Sequence, residues 1–121
     1  MEHSPLFLKI ISEARQAVKE TRIGELKRRL PPKDFHLIDV REDGEWEAGR
    51  IPGAVHIGRG VLERDIEKTV PDLGAEIVLY CGGGFRSALA AESLQRMGYR
   101  KVLSLAEGWR GWKEAGGETE K

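Results

Sequence analysis

The chain has a single cysteine in 121 residues, few aromatic side chains (7%), and no net charge, because twenty basic residues cancel twenty acidic ones. Each scarcity excludes something. One thiol can form neither an intramolecular disulfide nor a zinc site built from several thiolates, so a reducing compartment, the cytoplasm, is the expected setting. Balanced charge gives no field that would gather nucleic acid, and no block of like charge reads as a binding tail. The densest cationic spots, Lys27-Arg28-Arg29 and Arg64 to Lys68, are interleaved with apolar residues and read as solvated helix faces. No apolar run approaches the ~18 residues of a membrane span, and Met1-Glu2-His3-Ser4-Pro5 lacks the apolar core of a secretory signal. Neither nucleic acid nor a membrane is expected as a partner. What is present, 40% apolar and 33% charged residues, suits one soluble domain with one main core.

Strand-like and helix-like segments alternate. Apolar residues Leu6, Ile10 and Ala14, with Phe7, Ile11 and Val18 beside them, predict an amphipathic helix over 5–17, with Ser4-Pro5 as cap and first-turn proline. A short strand near 18–20, a helix over 23–30 capped by Thr21 and ended by Pro31-Pro32, and a buried strand over 36–40 follow. An acidic helix over 43–48 stops at Gly49; then come a brief strand over 54–57 and a helix over 61–70. Glu76 to Tyr80 is too short an apolar run for a helix and suits a strand covered on both faces. Ser87 to Met97 reads as a helix stopped by Gly98, 101–105 as a strand, 108–114 as a last short helix, and 117–121 as a frayed tail. This order predicts an α/β fold: a central, mostly parallel sheet of about five strands with helices on both faces, plus an extra N-terminal helix.

One loop carries the chemistry: Tyr80-Cys81-Gly82-Gly83-Gly84-Phe85-Arg86-Ser87, between a strand and a helix. In open α/β sheets ligands bind at the carboxyl ends of strands, where this loop lies. Glycines permit backbone angles closed to other residues and let successive N–H groups turn inward as a nest. The helix opening near Arg86 adds free amides and its positive dipole end. A cysteine at the entrance sits in a positive potential that favours the thiolate, and Arg86 adds a permanent charge. Such a nucleophile needs no separate base. It can take the outer sulfur of thiosulfate or of a persulfide, and inward amides can solvate the resulting Cys–S–S⁻. The plain alternatives are a cysteine used as a small buried hydrophobe and glycines forming an ordinary turn.

These residues resemble the active-site loop of the rhodanese family, a cysteine followed by four residues and an arginine. Leu37-Ile38-Asp39-Val40-Arg41-Glu42 is similar to the family's first signature strand. Glu45-Trp46 and Gly49-Arg50-Ile51-Pro52-Gly53-Ala54 are similar to its second signature, with Arg50 where the family usually has histidine. Gly98-Tyr99 to Val102 and Leu105-Ala106-Glu107-Gly108-Trp109, with Trp112, resemble its closing strand and helix. The resemblance implies a rhodanese domain over 18–116, preceded by the helix of 1–17. It implies a sulfurtransferase with a persulfide on Cys81, the nucleophile, and with Gly82, Gly83, Gly84, Phe85, Arg86 and Ser87 binding the sulfur and the donor anion. It carries over Asp39 and Arg41 as a structural pair near the site; a strand-end cap and a surface ion pair are their alternatives. It implies no metal and no cofactor. The partners it implies are small sulfur donors and acceptors (thiosulfate, thiols, cyanide in assay) or a sulfur-relay protein.

Other residues leave choices open. Arg59, after the strand of 54–57, is a second candidate cation for thiosulfate or a carrier carboxylate, or else a solvated loop residue. Phe85 shields the persulfide or anchors the loop. His36, His56, Trp46, Trp109 and Trp112 read as packing residues. The N-terminal helix covers the sheet or presents a partner surface. Two rival functions stand beside sulfur transfer. A cysteine-dependent phosphatase, or an arsenate reductase with a similar loop, would use a loop one residue longer. A non-catalytic binding module would be expected to lack the cysteine.

Overall fold

The computed structural model of the chain describes residues 3–121. Helix α1, Pro5–Ala17, starts where Ser4 accepts a hydrogen bond from the Phe7 amide and Pro5 occupies the first turn. Its Ile11 and Ala14, with Val18 just beyond, are buried at three- and four-residue steps, the spacing of one helix face. Strand β1, Lys19–Thr21, leads to α2, Ile23–Arg29, which ends before the two prolines. Then come β2, His36–Asp39, α3, Asp43–Ala48, and β3, Val55–His56. A 3-10 turn at Arg59–Val61 opens into α4, Leu62–Thr69. Strand β4, Glu76–Tyr80, α5, Phe85–Met97, β5, Lys101–Leu105, and α6, Gly108–Glu114, complete the chain.

The five strands form one parallel sheet in the order β1-β5-β4-β2-β3. Strand β4 lies at the centre, with Ile77 beside Val102 of β5 and Leu79 beside Ile38 of β2. A strand buried on both faces needs apolar residues at consecutive positions, and alternate residues of β4 serve opposite cores. Ile77 and Leu79 join Ala14 of α1, Leu62 and Ile66 of α4, and Ala88, Ala91 and Leu94 of α5. Val78 and Tyr80 join Ile23 and Leu26 of α2 and Trp112 of α6. Cys81 continues the alternation into the α5 side, so the thiol emerges at the carboxyl end of the central strand, under the start of α5.

The structure differs from the sequence expectations in several places. On α1 the buried face runs through Ile11, Ala14 and Val18, and Leu6 and Ile10 are exposed. Thr21 belongs to β1 and not to a helix cap; Arg22 precedes α2. The fourth helix starts at Leu62 because Arg59–Val61 winds as a 3-10 turn. Helix α5 starts at Phe85, before Ser87, because Gly84 makes the turn into it with φ 89°. The tail over 117–121 is docked, not frayed. Arg50 and Glu120 exchange backbone hydrogen bonds of 2.9 and 3.0 Å, and the Trp112 indole donates to the Glu118 carbonyl at 2.8 Å. A Cβ on Gly117 would overlap the Trp112 ring, so glycine lets the chain close over the indole. Pairing between residues 50 and 120 is a tertiary event that leaves no local sequence signal.

Helix α1 thus covers the sheet with part of the main core. Ile11→Ala should cost about 2–4 kcal/mol of unfolding free energy, read as a lower urea midpoint at unchanged slope; a midpoint equal to the wild type would show that α1 is not part of the cooperative fold.

Candidate active site

The site is built at the junction of β4 and α5. Cys81 is buried (1% exposed). The Gly84 amide donates to its sulfur at 3.1 Å. On the other side the thiol donates to Ser87 Oγ at 3.5 Å, and Ser87 Oγ is itself bonded to Ser104 Oγ at 2.8 Å. With the sulfur ionised, a rotated Ser87 hydroxyl can donate to it instead. Backbone carbonyls would spoil this site for an anion, and two of them are held away from it. Cys81 O accepts from the Trp109 amide at 2.7 Å, and Gly82 O accepts from the Arg110 amide at 3.0 Å. Both amides lie in the first turn of α6, where a helix has no partners of its own to offer. The close approach depends on Gly108, with φ 64°, whose Cβ would stand 2.6 Å from Gly82 O and 2.8 Å from Cys81 O.

The three loop glycines are not equivalent. Gly84 has φ 89°, and a Cβ there would overlap the Ala106 carbonyl. Gly82 and Gly83 lie outside the left-handed region. A Cβ on Gly83 would meet nothing within 4 Å, whereas one on Gly82 would stand 3.4 Å from Arg86 Nη2. The conformational demand that the sequence spreads over all three is concentrated at Gly84.

Charge around the loop is paired. Arg86, 34% exposed, meets Glu45 of α3 through contacts of 3.2 and 3.4 Å. Burial by itself would raise the Glu45 pKa, but the Glu42 amide and the Arg86 guanidinium outweigh it and hold the carboxyl below its ordinary value. Asp39 and Arg41 do form a pair, and it is buried, not on the surface: 0% and 2% exposed, with contacts of 2.7 to 3.1 Å. Asp39 also accepts the Arg41 amide at 2.8 Å, and Arg41 reaches the Gly49 carbonyl at 2.6 Å. Its guanidinium lies 4.6 Å from the centre of the Trp109 ring and 5.6 Å from that of Tyr80. The pair thereby ties β2 to the α6 turn that holds the loop carbonyls. Burial keeps the Tyr80 phenol well above its ordinary pKa, and its oxygen accepts from the Ile51 amide at 3.2 Å.

The remaining candidates separate. Arg59 is committed to Glu63 at 2.7 Å, and Glu63 also accepts from Ser93 at 2.6 Å; no hydrogen bond or ion pair joins Arg59 to the cysteine loop among the described residues. Phe85 faces the N-terminal helix: its ring centre is 6.0 Å from that of Phe7 and 4.9 Å from that of His3, and the Arg15 guanidinium lies over it at 4.9 Å. His56 Nε2 donates at 2.8 Å to the Arg41 carbonyl, and the ring stacks on Trp46. His36 is exposed on β2, Trp112 is buried, and Trp109 is half-buried. Glu45, Ser104, Gly108 and Arg15 were not legible as site residues. Glu45 and Gly108 had only a place in wider motifs, and Ser104 and Arg15 reach the loop through the fold. No group of three or more metal-ligating side chains converges among the described residues, and no helix there is long and apolar enough to cross a membrane.

Fold and loop together define a parallel α/β protein with a cysteine thiol in a donor-lined turn at the end of its central strand. A family profile for the rhodanese-like domain matches residues 23–115, and the chain belongs to that family. It is 35% identical over 103 residues to "Putative sulfurtransferase YtwF" of Bacillus subtilis, covering 84% of this chain and 94% of YtwF. It is 33% identical over 112 residues to "Putative sulfur carrier protein YrkF" of the same organism, covering 90% of this chain but spanning only 57% of YrkF. Among solved structures, the Rhodopseudomonas palustris "Protein of Unknown Function RPA3614, Possible Tyrosine Phosphatase" superposes with a TM-score of 0.82 at 28% identity, covering 99% of both chains. That match takes in α1, which lies outside the family profile.

Two measurements check this geometry. Gly84→Ala should lose more than about 1 kcal/mol of stability, since the side chain must enter both a left-handed angle and the Ala106 carbonyl; Gly83→Ala should be close to neutral in the same denaturant titration. Equal effects would contradict the assignment. A site-resolved NMR titration should place the Glu45 midpoint below the ordinary glutamate value of about 4.3. Because the folded value is the lower one, the stabilisation from the Glu42 amide and the Arg86 guanidinium is complete above the unfolded value and disappears as pH falls through the folded one.

Proposed function

We propose that the protein is a sulfurtransferase that carries sulfane sulfur as a persulfide on Cys81. The observation that carries this reading is the setting of one buried sulfur: the Gly84 amide donates to it at 3.1 Å, Ser87 Oγ, which accepts from the thiol at 3.5 Å, can turn to donate once the sulfur is ionised, and the neighbouring carbonyls are bonded to α6. Donors aimed at a reacting atom stabilise the charge that resides there. The Cys81 thiolate attacks the outer sulfur of thiosulfate or of a persulfide. A new S–S bond forms, the donor's S–S bond breaks, and sulfite or a thiolate leaves with the electron pair. An acceptor thiol, cyanide in assay, or a sulfur-relay protein then takes the terminal sulfur and restores the thiolate, a two-step exchange. Gly82 to Ser87 bind the sulfur and the donor, and Asp39 and Arg41 hold the floor in place. Arg59 is left with Glu63 and has no role in this scheme. A thiol that must stay reduced between turnovers fits a cytoplasmic setting.

The name of the R. palustris neighbour raises phosphatase chemistry as a second reading. Two features oppose it. Only four residues separate Cys81 from Arg86, which closes a smaller cup than a tetrahedral phosphate needs. The Glu45 carboxylate already occupies Arg86, and a phosphate dianion would have to displace it.

Intact mass after incubation with thiosulfate or an alkyl persulfide should rise by one sulfur atom, return on treatment with a thiol, and stay constant in Cys81→Ala. No gain with either donor overturns the sulfur-carrier reading. Hydrolysis of an aryl phosphate above a Cys81→Ser control would favour the phosphatase instead.

A further inference from the structure

Arg86 is the only charged residue in the loop from Cys81 to Ser87, and its charge is answered in place. Glu45 is the third residue of α3, where a capping box fixes it: its carboxylate accepts the Glu42 amide at 3.0 Å while Glu42 accepts from the Glu45 amide. The carboxylate is therefore held by its own helix whether or not Arg86 is present. From there it meets the guanidinium at 3.2 and 3.4 Å, and Oε2 stands 4.0 Å from where a Cβ on Gly82 would lie, directly beside the nucleophile's neighbour. Those contacts are longer than the 2.7–2.9 Å of a tight charge-assisted bond, so the carboxylate offsets Arg86 without burying it. A donor approaching Cys81 meets a fixed negative charge as well as the positive one.

We propose that Glu45 is a specificity-determining residue that sets the charge preference of the site, disfavouring thiosulfate, a dianion, and favouring persulfides of small uncharged thiols. This rests on the sulfur-transfer reading above. Both donors undergo the same balanced step. With thiosulfate, Cys81–S⁻ takes the sulfane sulfur and sulfite leaves, three negative charges before and after. With a neutral persulfide, RSSH, the sulfur passes to Cys81, the S–SR bond breaks, and the proton moves to the departing RS⁻ to give RSH. Only the first reaction brings two further charges up to Glu45, so only the first is opposed by it, and the opposition is screened by salt.

The test compares the wild type with Glu45→Gln, which keeps the capping geometry, using thiosulfate and the hydropersulfide of 2-mercaptoethanol as donors with cyanide as the common acceptor. Glu45→Gln should raise the ratio of thiosulfate to persulfide kcat/KM about fivefold, the effect of removing one charge a few ångströms from a dianion in a partly solvated site. The gain should shrink as salt rises. Glu45→Asp, which restores the charge, should return the ratio toward the wild-type value. An unchanged or reduced ratio in Glu45→Gln, or a gain insensitive to salt, overturns the proposal while sulfur transfer itself stands. A wild type that transfers sulfur from neither donor overturns both.

Discussion

The site depends on two backbone hydrogen bonds made by α6. The Trp109 and Arg110 amides have no acceptor within their own helix, and they donate instead to the carbonyls of Cys81 and Gly82. With those carbonyls drawn away, the Gly84 amide can face the sulfur. Gly108 makes the approach possible, since any side chain there would stand against both carbonyl oxygens. The last helix, distant in sequence, therefore decides which face of the loop the Cys81 sulfur sees.

The supporting charges are arranged around that contact in layers. Asp39 and Arg41 are buried and tightly bonded, and Arg41 lies against Trp109. Removing one member of such a pair strands the other charge in the interior, commonly at a cost of about 3–5 kcal/mol. Farther out, Arg86 and Glu45 are half-exposed and loosely matched, an arrangement worth little for stability but well placed to act on an arriving ion. The same two charge types thus form a buried framework in one place and, in the proposed scheme, a filter in the other, and the difference is solvent.

Helix α1 joins the two roles of the fold. Its Ala14, with Val18 just beyond, joins the core on the α5 side, and Phe7 and Arg15 pack on Phe85 at the first residue of α5. Phe85 is thus anchored by a helix that lies outside the family profile, and the loop inherits rigidity from it. The same helix leaves Leu6, Leu8 and Ile10 exposed, so packing on the core and presenting a partner surface both stay open to it.

Local sequence was enough for most of the elements and for singling out Cys81. The spans of α3, β4, β5 and α6 follow from short-range signals such as a five-residue apolar run too short to be a helix and an acidic run closed by Gly49. Their alternation required a parallel sheet, and the loop after the central strand named Cys81 and Arg86. Only tertiary structure decided what those residues face. That Gly84 and not Gly83 bears the strain, that Ser104 backs Ser87, that Glu45 claims Arg86 while Arg59 is claimed by Glu63, and that residues 117–121 dock on Arg50 and Trp112 all arise between segments far apart in the chain. Short-range patterns fix backbone angles and buried faces; which donor meets which acceptor is settled when the packed elements bring their ends together.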